Sequence, residues 1–456
     1  MVFLAQSVAL RRPVRSLDLA IAVTLSVTLL TAFRLWSFSY FWTDDFNNLF
    51  LVRSETFLQM VGYIVDPQAS YFRPVGMFVY WALYQLFGLH PLPYHLTAWA
   101  LHALNTFLLF LLLRRWLHSP FAAAAGAIPF ALRVNFADVY WSFGSIFELL
   151  ACGLMLTGLY VWTTSRKTPT TVLLLTLIAF VAVRSKEMAV TLPALWLWYE
   201  CCVTPEFWKY PRRLLSWLAL PFAVMAWLTL VKVQSMQGAK PSDPYYLKFG
   251  MDVMVSGFGQ YLDWLSGIHL PTLVWILGAA VTVAIFIYRR ERFAVFFVGY
   301  VLLTFMPVIF LANHRWPFFW YIPFPGVAGL IALAAARIEV RVQNRELLAG
   351  LLVVLALANG GVEFYRSRAT RTREAELARE FESFVTGLKA MDPPSASAVL
   401  YFDGVPSNFT PQVLSSAVRL VLERDDIRAD LVEEFPAGAT QRYRFAGGKL
   451  RRLPAQ

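Results

Sequence analysis

YHLTAWALHALNTFLLFLLLRR, residues 94–115, decides the fold. Residues 94–113 contain no Asp, Glu, Lys or Arg, and Arg114-Arg115 then close the run. A run of about 20 apolar residues matches the hydrocarbon thickness of a bilayer, and a basic pair at one end marks the cytoplasmic side. The same grammar returns along the chain, with apolar runs bounded by Arg166-Lys167, Arg212-Arg213 and Arg289-Arg290. Over 456 residues, 58% are hydrophobic and only 15% charged, which excludes an ordinary water-soluble domain. Aromatic residues make up 16%, in keeping with two aromatic belts. The net charge of +11 resides largely in clusters at the ends of apolar runs. Anionic membrane lipids are therefore its partner, and nucleic acid is not.

Orienting the apolar runs by their basic flanks predicts 11 spans: 17–38, 94–113, 119–133, 143–163, 169–183, 188–202, 214–232, 270–288, 293–311, 317–336 and 346–364. This places the N-terminus in the cytoplasm and the C-terminus outside. Arg11, Arg12 and Arg15 precede the first run and no small-residue cleavage pattern follows it, so that run is expected to stay as a helix. Segments 74–89 and 250–268 are apolar too, but counting either alone would put a basic cluster on the wrong side. They are expected to lie at the outer interface; the alternative is that both span. Cys152, Cys201 and Cys202 lie in or beside apolar runs and suggest neither a disulfide framework nor a zinc site.

After Tyr365 the composition changes. Residues 366–456 hold 14 Lys/Arg and 12 Asp/Glu, the pattern of a small soluble domain. Helices are expected over 368–390 and 411–423 and a strand over 398–402, giving a small α/β arrangement. The expected organisation is a membrane domain, 1–365, whose outer loop 39–93 is catalytic, and a non-cytoplasmic domain, 366–456. The fold class is an all-α polytopic membrane protein with interfacial helices and that small tail domain.

Charged residues cluster in the outer loops. Trp42-Thr43-Asp44-Asp45-Phe46 follows the first span. Paired carboxylates there could deprotonate an acceptor hydroxyl, hold a divalent cation, or cap a helix beginning at 46. Tyr71-Phe72-Arg73-Pro74 presents a guanidinium beside aromatic rings, suited to a phosphate or a sugar face, or to snorkelling. Asp138 shares the outer side with Asp44 and Asp45. His95, His102 and Asn105 fall on one helix face, where polar groups commonly tie helices together. Glu148 sits near the outer end of a span. Arg184-Ser185-Lys186-Glu187 crowds three charges into one hairpin, and Asn313-His314-Arg315-Trp316 precedes an aromatic girdle.

In their order, these residues resemble the GT-C integral-membrane glycosyltransferases, which include protein O-mannosyltransferases and bacterial aminoarabinose transferases. The resemblance covers about residues 17–325: the acidic pair Asp44-Asp45, Arg73-Pro74 running to Leu86-Phe87-Gly88, His102-x-x-Asn105, Asp138 before Trp141, Lys186-Glu187, and Arg315 leading to Tyr321-Ile322-Pro323. It implies a bacterial inner-membrane enzyme that transfers a sugar, with inversion, from a polyprenyl-phosphate donor to a glycan, lipid or protein acceptor outside the cytoplasm. Asp44 or Asp45 would be the base, and Asp138 would position the acceptor or share a divalent cation, Mg or Mn, with Asp45. Arg73, Lys186 and Arg315 would stabilise the phosphate, and His102, Asn105, Glu187 and Tyr321 complete the expected binding set. His314 departs from the family, whose tetratricopeptide-bearing members usually carry Glu there. A lipid-saccharide flippase and a non-catalytic subunit of a polysaccharide complex are the alternatives.

Overall fold

The computed structural model describes residues 40–68, 73–133, 142–235, 240–342, 344–392 and 394–454. The expected first span, and Tyr71, Phe72, Asp138 and Trp141, lie outside them.

Proline sets many of the helix starts. Pro74, Pro91, Pro120, Pro169 and Pro411 each occupy the first helical position, where the missing N–H costs nothing and the fixed φ suits the helix. The described chain begins with three short helices, α1 (Thr43–Val52), α2 (Phe57–Val65) and α3 (Pro74–Phe87). The bundle follows as α4 (Pro91–Leu117), α5 (Pro120–Leu132), α6 (Ile146–Thr164), α7 (Pro169–Ser185), α8 (Leu192–Val203) and α9 (Pro211–Ser235). It continues through α10 (Met251–Ser266), α11 (Thr272–Tyr288), α12 (Arg292–Ile309), α13 (Phe324–Arg341) and α14 (Arg345–Arg366).

Pro91–Leu117, Phe143–Thr164, Leu214–Gln234, Arg292–Ile309 and Arg345–Arg366 are long and apolar enough to cross a membrane, and shorter apolar helices stand at Pro120–Leu132, Pro169–Ser185 and Thr272–Tyr288. The protein is an integral membrane protein. Two expected spans start differently from the sequence reading. Residues 188–202 form a 3-10 turn, Glu187–Thr191, before α8, because Pro193 fits only a first helical turn. Residues 317–336 likewise divide into a 3-10 turn, Pro317–Trp320, and α13, with Pro323 and Pro325 at the break.

The centre of the bundle is α5, buried from Phe121 to Ala131. Its sequence PFAAAAGAIPFAL holds an unbroken run of small residues from Ala122 to Ala127, which lets the neighbouring backbones come close. It packs on α13, whose facing residues Ala328, Gly329, Ala332 and Ala335 are also small and buried.

The tail comprises α15 (Arg368–Lys389), β1 (Val399–Asp403), α16 (Pro411–Val421), β2 (Arg428–Leu431), β3 (Arg442–Ala446) and β4 (Lys449–Leu453). The strands form one sheet in the order β2-β1-β3-β4, with β1 parallel to β2 and β3 and with β3 antiparallel to β4. Ala446 pairs with Lys449, so Gly447 and Gly448 are a two-residue hairpin turn. Both have positive φ, 57° and 69°, which that turn requires and glycine supplies without strain.

The tightness of the α5–α13 contact can be tested. A Cβ at Gly126 would lie 2.5 Å from the Ala328 carbonyl oxygen and 2.9 Å from Ala332 Cβ. Gly126→Ala is expected to lower the thermal midpoint in detergent, with an overpacking cost of about 1–3 kcal/mol. Gly350→Ala, where nothing lies within 4 Å, should be neutral or stabilising. Equal midpoints for the two variants would show that the contact is slack.

Candidate functional site

α1 carries the acidic pair at its first turn, with Trp42 as N-cap, Asp44 at the second helical position and Asp45 at the third. One helical step of about 100° separates the two carboxylates, and their environments differ accordingly. Asp45 is completely buried. One carboxylate oxygen accepts from the Trp42 N–H at 2.7 Å and the other from the Tyr80 hydroxyl at 2.5 Å. Tyr80, on α3, is itself held edge-on by Phe143, 4.6 Å between ring centres. Burial pushes the Asp45 pKa up to about 7, against the Tyr80 and Trp42 hydrogen bonds that favour its charge. Asp44 is exposed and accepts no hydrogen bond from any described residue. Crowding by surrounding atoms raises its pKa, and the charge of Arg73 offsets part of that.

Arg73 stands immediately before α3. Its guanidinium grips Glu187 with two bonds, Nε to Oε2 at 3.1 Å and Nη2 to Oε1 at 2.9 Å. The fork-to-fork geometry fixes its plane, which lies 5.3 Å from the Phe147 ring. It also donates to the Tyr245 hydroxyl. Lys186, at the C-cap of α7, is buried and ion-paired to the equally buried Glu148 on the first turn of α6, with Glu187 3.9 Å away. Its ammonium also sits 5.1 Å from the Phe319 ring centre. Burial pushes Glu187 up, but Arg73 and Lys186 outweigh it and hold the carboxylate down to about 2.

Lys232, near the end of α9, acts electrostatically on Glu187 and is itself opposed by Arg73 and Arg184. His314 completes the rim, 4.7 Å from the Tyr245 ring and accepting the Trp316 indole N–H at Nδ1. Burial first, then Lys186 and Arg73, bring its pKa down to about 4, so it is neutral and carries its proton on Nε2. Cations Arg73, Lys186 and Lys232 therefore surround the anions Glu148 and Glu187, with Asp44 exposed beside Arg73. An arrangement with excess positive charge next to a free carboxylate can bind an anionic leaving group and accept a proton.

Other expected site residues lie elsewhere. His102, Asn105 and Tyr321 are fully buried together: the Tyr321 hydroxyl lies 2.9 Å from His102 Nδ1 and accepts from Asn105 Nδ2 at 3.1 Å. Asn105 also donates to the Leu149 carbonyl, so this cluster joins α4, α6 and the end of the Pro317–Trp320 turn. Arg315 is turned towards α10, donating to the Val253 carbonyl at 3.1 Å and to Ser256 and Gln260 at 3.3 Å each. Arg184 closes the C-terminal end of α2 by donating to the carbonyls of Tyr63, Ile64 and Asp66.

Asp138, the second expected cation ligand, lies outside the described residues, and among those described no three His, Cys, Asp or Glu side chains converge. Both Asp45 oxygens are taken by Tyr80 and Trp42, which leaves a poor ligand. Tyr80, Lys232 and Tyr245 were not singled out from the sequence. Lys232 did carry a signal, as a lone cation at the end of an apolar run; the two tyrosines carried none.

The site lies at the opposite end of α6 from the basic loops. Arg115 donates to the Thr163 carbonyl and Lys167 to that of Trp162, both near the C-terminus of α6, whereas Glu148 and Lys186 meet at its N-terminus. The 19 residues of α6 rise about 28 Å, close to a bilayer's hydrocarbon thickness.

No family model and no curated protein matches the chain. Among solved structures, ArnT from Cupriavidus metallidurans in the apo state aligns at 13% identity over 91% of this chain and 86% of that one, with a TM-score of 0.54. The fold is GT-C-like. ArnT bound to undecaprenyl phosphate aligns at 14% identity over 90% and 85%, with a TM-score of 0.48. At 91% of the chain, the alignment reaches beyond the bundle into the tail.

Removing one partner of a buried ion pair strands the other, which costs about 3–5 kcal/mol, whereas removing both can be close to neutral. Glu148→Gln is therefore expected to lower the thermal midpoint sharply, and Lys186→Met with Glu148→Leu to recover most of it. Additive losses in the double variant would show that the two side chains do not pair.

Asp45 makes stability depend on pH. Its pKa is about 7 folded against an ordinary 3.8, so the folded state holds the extra proton in between. The stability this gives is fully present below the lower value and is lost as pH rises through the upper one. The midpoint of the wild type should fall from pH 4 to pH 7 more steeply than that of Asp45→Asn. Parallel curves would show that Asp45 is ionised throughout.

Proposed function

We propose that the protein is a membrane glycosyltransferase that uses a polyprenyl-phosphate sugar, with its reaction on the non-cytoplasmic side. The exposed Asp44 carboxylate beside the Arg73–Glu187–Lys186 network carries this reading. The GT-C-like fold supports it, although a fold alone does not assign a reaction. Asp44 takes the proton of the acceptor hydroxyl, and its raised pKa brings it closer to the working pH than an ordinary carboxylate. The acceptor oxygen bonds to the anomeric carbon from the face opposite the phosphate, so the configuration inverts. The bond from that carbon to the phosphate oxygen breaks, and polyprenyl phosphate leaves with the electron pair.

Arg73 and Lys186 meet the charge that grows on the departing phosphate. Glu187 and Glu148 hold the two cations in place before the donor arrives, which is preorganisation rather than rearrangement during reaction. Asp45 orients α1 through Trp42 and Tyr80 and leaves the proton transfer to its neighbour. Asp138 stays a candidate for positioning the acceptor. The acceptor is an envelope glycan, lipid or protein carrying a free hydroxyl.

The test uses purified protein, a labelled polyprenyl-phosphate sugar and a pool of envelope acceptors, with released polyprenyl phosphate as the readout. Asp44→Asn is expected to keep the wild-type midpoint and lose about 100-fold to 10,000-fold in rate. Asp45→Asn should show a smaller rate loss together with altered stability. Wild-type rates in Asp44→Asn would remove the base, and movement of the intact donor across vesicles without phosphate release would make the protein a flippase.

A further inference from the structure

The tail domain does not stand apart from the acidic helix. α16 packs on α1, and Phe381 of α15 and Phe409 just before α16 enclose the aromatic side chains that flank the carboxylates. Trp42 meets Phe381 edge-on at 5.7 Å, and Phe46 meets Phe381 at 6.4 Å and Phe409 at 5.6 Å. Trp42 and Phe46 thus bracket Asp44 and Asp45 in sequence while the tail covers them.

At the other end of α1 the contact is electrostatic. Arg53, which ends α1, and Arg419, on α16, point at the same Phe50 ring from 4.3 Å and 4.5 Å. Two guanidiniums from the two halves of the protein would repel each other across that ring. Asp425 lies between them. A single oxygen, Oδ1, accepts from Nη2 of Arg53 and, at 3.1 Å, from Nη2 of Arg419. Arg419 donates to the Asp425 backbone carbonyl as well, at 3.0 Å. The Arg53 side chain is 9% exposed and its Nη1 has no hydrogen-bond partner among the described residues, so its charge is costly to leave uncompensated. Glu423, whose charge opposes that of Arg53 at the Tyr84 hydroxyl, is the second carboxylate nearby, while Asp426 is engaged by Arg424 and the Ser397 N–H.

We propose that Asp425 is a latch: by neutralising Arg53 and Arg419 together it keeps the tail on α1, and so positions Asp44 for proton transfer. This rests on the transfer reading above and adds a role for the tail. Asp425 is a positioning residue: it touches Arg53, at the far end of α1 from Asp44, and acts on the proton transfer only through that helix.

The full-length protein in nanodiscs provides the test, through two readouts on Asp425→Asn: amide hydrogen exchange over residues 43–52, and kcat and KM for the polyprenyl-phosphate donor. Asparagine keeps the shape and an acceptor oxygen, so only the charge is lost. Exchange over α1 is expected to quicken at least about fivefold and kcat to fall about tenfold with KM unchanged, since a small misplacement of a reacting group costs rate rather than donor affinity. The defect should deepen at low ionic strength, where the two guanidiniums are least screened. Adding Arg53→Met removes the repulsion and should restore both readouts. Wild-type exchange and kcat in Asp425→Asn, or a double variant no better than the single one, overturns the latch. A wild-type chain inert towards the donor defeats the transfer reading instead, and the exchange arm then decides by itself whether Asp425 holds the tail on α1.

Discussion

The buried Lys186–Glu148 pair is the constraint around which the rest of the site is arranged. Charges withdrawn from water this far are tolerated only in pairs, and the pair forms only if the end of α7 meets the beginning of α6. Once Lys186 is fixed, its neighbour Glu187 has one direction available, and Arg73 is drawn to it with both nitrogens. Arg73 lies one residue before α3, so the same contact sets where that helix starts. α3 then presents Tyr80 to Asp45, and through Asp45 the orientation of α1 is settled. A single sequence of ion pairs and hydrogen bonds thus runs from the bundle to the acidic helix, each step made necessary by the cost of leaving the previous group unpaired.

The small-residue contact between α5 and α13 serves the same end by different physics. With no hydrophobic gain available between helices in lipid, close backbone approach supplies the attraction. It holds α4 and α13 near enough for Tyr321 to meet His102 and Asn105, and these bonds keep the Pro317–Trp320 turn over the ammonium of Lys186. The buried polar cluster accordingly shapes the site from behind and does not face it.

Much of this was legible in the sequence because apolar runs and their prolines are local signals. The residues 94–115, 143–163 and 346–364 specify helices by length alone, and Pro74 or Pro169 marks a start without reference to any neighbour. Clustering of charges at Asp44, Arg73, Lys186 and Glu187 was legible too, since ionisable groups among so many apolar ones have few places to go. What was not legible depended on distance in space. Arg315 looks like an outward phosphate clamp in sequence, but Gln260 and Ser256 on α10, whose position no local pattern gives, claim it. Strands β2 (RADL) and β3 (RYRFA) alternate polar and apolar residues, but over only four and five positions, and β4 (KLRRL) is mostly basic, so no local signal gives their order in the sheet. Tyr245 became visible only when the loop at 240–250 folded back over Arg73.

The different fates of Asp44 and Asp45 follow from helix geometry and from nothing in their chemistry. At the third helical position a carboxylate can reach back to the N-cap N–H, and Asp45 does so. That bond commits it to the inner side of α1, where Phe41, Phe46 and Tyr80 exclude water and its charge becomes expensive. The second position has no such return path, and rotation by one residue turns Asp44 outward. A pair of identical side chains is thereby divided into one group that fixes the helix and one that, in the proposed reaction, takes the acceptor's proton. On that proposal the two act together: without a capped and anchored α1, an outward carboxylate would sample many positions, and proton transfer rewards only the one within hydrogen-bond reach of the acceptor.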